Sequence, residues 1–113
     1  KLKLINETIV PVKLTAYPPI QKYTDSTPYI TASGDRVKNG IVAISKPLEI
    51  DFNIKFGDVI HIIGYGDFEV KDRTHERWND YRVDIFMYSE SECVKFGLQY
   101  GLMLIKKRKY GVI

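Results

Sequence analysis

At 113 residues the chain fits one domain, 1–113 with a core over about 8–105, because two halves would each lack the residues to bury a core. Hydrophobic residues at 44% and charged residues at 27% are ordinary globular usage, which excludes a disordered chain, and no apolar run approaches the roughly 18 residues that span a bilayer. The net charge of +3 sits mainly in Lys106-Lys-Arg-Lys109, read as a solvated terminus, and a lone cysteine, Cys93, excludes an intrachain disulfide or a cysteine metal cluster.

The start, Lys1 to Ile5, has neither a long apolar stretch nor a small-residue cleavage site and is not read as a signal peptide. Thr8 to Tyr17 is rich in β-branched residues and predicts a strand, with Pro11 at an edge or bulge. Pro18 to Pro28 reads as a long loop, a place where function often sits. Turns follow at Gly34-Asp35 and Asn39-Gly40, and Ile41 to Ile44 predicts a strand buried on both faces. Ser45 to Lys55 alternates Leu48, Ile50, Phe52 and Ile54 with polar residues and predicts an edge strand or a packed loop.

Asp58 to Gly64 and Phe68 to Asp72 predict two strands joined by a tight hairpin at Gly64-Tyr65-Gly66. Asp72 to Tyr81 is polar, lacks a helical period, and leads as a loop into a strand at Arg82 to Phe86. Ser89 followed by acids predicts the cap of a short helix, on which Cys93 is a buried small apolar residue. Gly101 to Ile105 predicts the last strand. About six short strands with one helix near the C-terminus predict an all-β chain closed into a small barrel, which removes exposed edges.

Asp72 and Asp84 stand out because a carboxylate in a half-buried strand must be paired or put to chemical use. The plainer alternative is that Asp84 is a satisfied structural aspartate that accepts from backbone amides or pairs with Arg73 or Arg82. Trp78 and Tyr65 are candidates to stack on sugar rings, against the plain alternative that aromatic residues are core. His61 reads as a hydrogen-bonded structural histidine. His75 with Asp72 and Glu76 matches no zinc spacing, so neither a metal nor another cofactor is expected. Ser45 lacks the surroundings of a serine nucleophile.

The order Thr15-Ala-Tyr17, Thr31-Ala-Ser-Gly34, Gly40-Ile-Val-Ala-Ile44, Phe56-Gly-Asp-Val59, Gly64-Tyr-Gly66, Val70-Lys-Asp72, Arg82-Val-Asp-Ile-Phe86 and Phe96-Gly97 resembles the three-aspartate domain family. That family is similar to the catalytic barrel of membrane-bound lytic transglycosylase A and, more distantly, to rare lipoprotein A and expansins. The resemblance implies a six-stranded double-psi β-barrel. It places the family's catalytic acid/base on Asp84 and its second aspartate on Asp72, which is expected to assist Asp84 in catalysis or to hold substrate, with Thr15, Tyr17, Thr31, Ser45 and Thr74 at substrate-binding positions. Two departures are visible: Ser45 occupies the position of the family's first aspartate, and Asp72-Arg-Thr-His-Glu-Arg-Trp78 replaces a glycine-rich loop.

The activity implied is lytic cleavage of peptidoglycan or a related polysaccharide by a monomer in the cell envelope, periplasmic or secreted. Ordinary glycoside hydrolysis uses two carboxylates, whereas attack by the muramyl 6-hydroxyl on its own anomeric carbon needs one group that is acid and then base. The competing expectation is a non-catalytic, expansin-like glycan-binding barrel. No nucleic-acid partner is expected, since the basic residues gather on no identifiable face.

Overall fold

Alternate residues of the first strand point to opposite sides, so Val10, Val12 and Leu14 are buried while Ile9 and Pro11 face outward. This strand is β1, Lys3–Tyr17. The computed structural model describes residues 3–110, with side chains described over 8–105. The remaining strands are β2 (Ile41–Ile44), β3 (Val59–Ile62), β4 (Gly66–Arg73), β5 (Arg82–Phe86) and β6 (Gln99–Tyr110).

The strands close into an all-β, six-stranded barrel in the order β1-β5-β2-β4-β3-β6. The sheet is mixed: β1 runs parallel to β5 and β2 parallel to β4, and the other pairings are antiparallel. Inward-facing aliphatics fill the interior, among them Leu14, Val42, Ile44, Ile60, Ile62, Val83 and Met103, all buried to 1% exposure or less. Burial of each such side chain contributes roughly 1.5–3 kcal/mol, which favours closure over an open sheet. A second cluster of Tyr17, Val37, Ile41, Ala43 and Phe86 lies on the other face of β5 and β2, so these strands carry apolar residues on both sides.

The hairpin at Gly64-Tyr65-Gly66 forms as expected, with φ of 92° and 108° at the two glycines and the Tyr65 amide donating to the Ile62 carbonyl at 2.8 Å. The short C-terminal helix is α2, Glu90–Phe96; Ser89 Oγ accepts from the Glu92 amide at 3.2 Å, and Cys93 is buried.

Two expectations are corrected. The segment after Ser45 is neither strand nor loop but a helix, α1, Lys46–Phe52, with Pro47 in its first turn and Asn53 left-handed at its end. Its apolar residues alternate in sequence, yet Leu48 is buried and Ile50 is 65% exposed, so Leu48 and Phe52, one turn apart, supply the inward face. The basic segment is not a tail beyond the last strand, because β6 runs on through Lys106 to Tyr110, paired antiparallel with β1 as far as Lys3. The side chains of Lys106 to Lys109, and those of the chain's first residues, lie outside the described ones.

Candidate functional site

One row of residues crosses four strands. Thr15 on β1 pairs with Asp84 on β5, Asp84 with Ala43 on β2, and Ala43 with Asp72 on β4. Asp84 faces out of the barrel because its neighbours Val83 and Ile85 face in. Strict alternation from the buried Val70 would turn Asp72 inward. A bulge prevents this: Val42 pairs with Val70 but Ala43 pairs with Asp72, so Lys71 is an extra residue that re-aims Asp72 toward the Ala43 side. Two strand spacings put the aspartate backbones roughly 10 Å apart, with the small Ala43 between them.

The two carboxylates have different surroundings. Asp84 Oδ1 accepts from Thr15 Oγ1 at 2.9 Å. Burial pushes the Asp84 carboxyl from its ordinary 3.8 up to about 7, the Thr15 hydrogen bond and the Arg82 charge hold it back, and the Asp72 charge adds a smaller upward push. Asp72 has both oxygens occupied: Oδ2 accepts from Tyr17 Oη at 2.9 Å, and Oδ1 from the Ala32 and Arg73 amides at 2.8 and 2.9 Å. Asp72 therefore ties the 31–35 turn to β1 and β4. Burial, then the charge and hydrogen bond of Asp72, push the Tyr17 hydroxyl far above its ordinary value, so Tyr17 remains a donor at neutral pH.

Asp84 opens onto a groove of about 530 Å³. Thr15, Tyr17 and Arg82 line it from the barrel, Lys22 to Asp25 from the loop after β1, and Arg73 to Trp78 from the loop after β4. Of the residues expected at a site, the groove gathers Asp84, Thr15, Tyr17, Thr74 and Trp78. Asp72 reaches it through Tyr17. Thr74 Oγ1 is buried there without a hydrogen-bond partner.

Three expected residues stand elsewhere. Thr31 is buried, its Oγ1 donating to the Asp35 carbonyl at 2.9 Å. Tyr65 hydrogen-bonds Gln99 and packs edge-on against Phe96, ring centroids 5.6 Å apart. Ser45 is fully buried; its Oγ donates to the Asp80 carbonyl at 2.6 Å and accepts from the Arg82 amide at 3.1 Å. Ser45 is thus a neutral clamp between the end of β2 and the entry to β5.

The two arginines named as alternative partners of Asp84 pair with other acids. Arg73 grips Glu49 at 2.8 and 3.1 Å, and Arg82 grips Asp80 at 3.2 Å. Arg82 also lies 3.9 Å from the centroid of the Trp78 ring and Arg77 4.8 Å from it, so the indole is already engaged by two guanidiniums. Sequence reasoning missed Arg77, and the only signal for it was its place beside Trp78 in a polar loop. His61 Nδ1 lies 2.7 Å from Asp67 Oδ1 on the outer face of the β3–β4 hairpin. Burial raises the Cys93 thiol to about 11, which leaves it an inert packing group. Among the described residues no group of three His, Cys, Asp or Glu side chains is placed to hold a metal ion.

Chemically, the site offers one carboxyl that carries a proton near neutral pH, set in a polar groove. No protein-family model matches the sequence, and no curated protein matches it significantly. Fold and site therefore define the class: a closed six-stranded mixed β-barrel in which the Asp84 carboxyl is pushed upward by burial on the outer face.

Proposed function

We propose that the chain is a single-domain, glycan-cleaving barrel of lytic transglycosylase type, acting on peptidoglycan or a related polysaccharide in the cell envelope. The observation that carries the reading is Asp84, a carboxyl raised to about 7 by burial at the wall of a 530 Å³ groove. The two parallel pairings, β1 with β5 and β2 with β4, support the double-psi reading of the barrel, and with it the likeness to the three-aspartate family.

In this mechanism Asp84, protonated, donates its proton to the glycosidic oxygen as the bond from the anomeric carbon to that oxygen breaks. The resulting carboxylate then takes the proton of the muramyl 6-hydroxyl as that oxygen bonds to the anomeric carbon. The products are a free sugar end and a 1,6-anhydro ring, and Asp84 regains its proton. One carboxyl is enough because the nucleophile belongs to the substrate. Thr15 steadies the anionic intermediate form of Asp84, and Asp72 holds Tyr17 in place beside it. The unit acts as a monomer.

The test is mass spectrometry of soluble products after incubation with intact peptidoglycan. Anhydro-muropeptides from the wild type and none from Asp84→Asn support the reading; equal activity of the two proteins overturns it. A second reading, a glycan-binding barrel without catalysis, is favoured by one observation: Ser45, at the first-aspartate position, is sealed in a neutral clamp. Binding to insoluble cell wall with no soluble product distinguishes it.

A further inference from the structure

We infer that Arg77, carried on the face of Trp78, recognises a carboxylate on the bound saccharide; this rests on the glycan reading of the groove. Four Arg or Lys side chains line the groove, and three already have acid partners: Lys22 with Glu90 at 3.1 Å, Arg73 with Glu49, and Arg82 with Asp80. Arg77 has no acid partner among the described residues. Its guanidinium instead lies 4.8 Å from the Trp78 ring centroid.

A stacked guanidinium keeps its in-plane N–H donors free, and their fork matches the two oxygens of a carboxylate. The backbone that carries it is fixed, because the Arg77 amide donates to His75 Nδ1 at 3.0 Å and the Trp78 amide to the His75 carbonyl at 3.1 Å. In the same loop, the buried hydroxyl of Thr74 has no hydrogen-bond partner. A singly charged carboxylate suits the groove better than a phosphate, since Asp25, Glu76 and Asp84 line it too. The carboxylate is either the lactyl group of the sugar or the free end of an attached peptide.

Trp78 is the only tryptophan, so its fluorescence reports binding at this position. The probes are a peptide-free glycan fragment with free lactyl carboxylates, the same fragment with these reduced to alcohols, and a peptide-bearing fragment. In the wild type at least one carboxylate-bearing fragment, the first or the third, is expected to bind at least about tenfold more tightly than the reduced one, and in Arg77→Gln that ratio falls to about one. Tight binding of the peptide-bearing fragment assigns the carboxylate to the peptide, and weak binding assigns it to the lactyl group. Equal affinities for all three fragments in the wild type, or a ratio that survives in Arg77→Gln, overturns the inference. If none of the three fragments binds, the glycan reading fails by itself, and titration with D-lactate decides the anion site. A fluorescence change in the wild type that is absent from Arg77→Gln upholds the anion site, and no change overturns it.

Discussion

Thr15 Oγ1 donates its hydrogen bond to Asp84 Oδ1 at 2.9 Å, across the parallel pair β1–β5, and so opposes the effect of burial on that carboxyl. Thr15→Val removes the donor while keeping the shape. With about 1 kcal/mol for the bond and about 1.36 kcal/mol per pH unit, the Asp84 carboxyl is predicted to titrate above 7 by somewhat less than one pH unit. Carboxyl-carbon NMR titration measures this directly. An unchanged or lowered midpoint contradicts it.

Asp84 also makes stability depend on pH. The unfolded carboxyl gives up its proton near 3.8 and the folded one near 7, so between those values the folded state binds more protons, and stability falls as pH rises through the window. The loss is complete somewhat above pH 7 and amounts to at most roughly 4 kcal/mol. Asp84→Asn removes it. Urea unfolding is expected to show the variant gaining stability relative to the wild type from pH 4 to pH 8; parallel curves would falsify the assignment.

The two aspartates are predicted to separate under the same substitution. Asp72 accepts three hydrogen bonds, and an asparagine in its place still offers one oxygen to the Ala32 and Arg73 amides. Asp72→Asn is therefore expected to keep measurable glycan cleavage where Asp84→Asn has none. Asp72→Ala frees the turn, and hydrogen exchange at the Ala32 amide should accelerate by at least about tenfold. Protection of that amide unchanged in Asp72→Ala speaks against the tether.

Ser45 tests the departure from the family pattern. Ser45→Ala leaves the Asp80 carbonyl and the Arg82 amide short of a partner, at a cost of about 1–3 kcal/mol in unfolding free energy. Ser45→Asp supplies the carboxylate that the resemblance would place there but puts a charge at a fully buried position beside a carbonyl oxygen, and is predicted to cost more than the alanine. Chemical denaturation ranks the two variants. A Ser45→Asp protein as stable as the wild type would show that the position accepts the charge.

The strands were legible because their signals are local: β-branched runs, period-two burial in β1 and β3, and glycines at turns that need positive φ. Asp84 was legible for the same reason, as the one acid in an apolar strand. The α1 helix was not, because Leu48, Ile50, Phe52 and Ile54 satisfy a strand period while Leu48 and Phe52 also satisfy a helical one. Tyr65 illustrates a different limit. Its hairpin is correctly placed in the chain, but closure of the barrel carries that hairpin to α2, onto Phe96 and Gln99. The partners of Arg73 and Arg82 likewise come from α1 and from the residue two before Arg82, which no spacing rule singles out.

The bulge in β4 means that Asp72 owes its position to counting, not to chemistry. Were the same residues paired by strict alternation, without the extra step at Lys71, the acid would turn toward the aliphatic interior beside Val42 and Val70. The acid can therefore be replaced without disturbing the ladder, whereas a slip of that ribbon by a single step buries a charge.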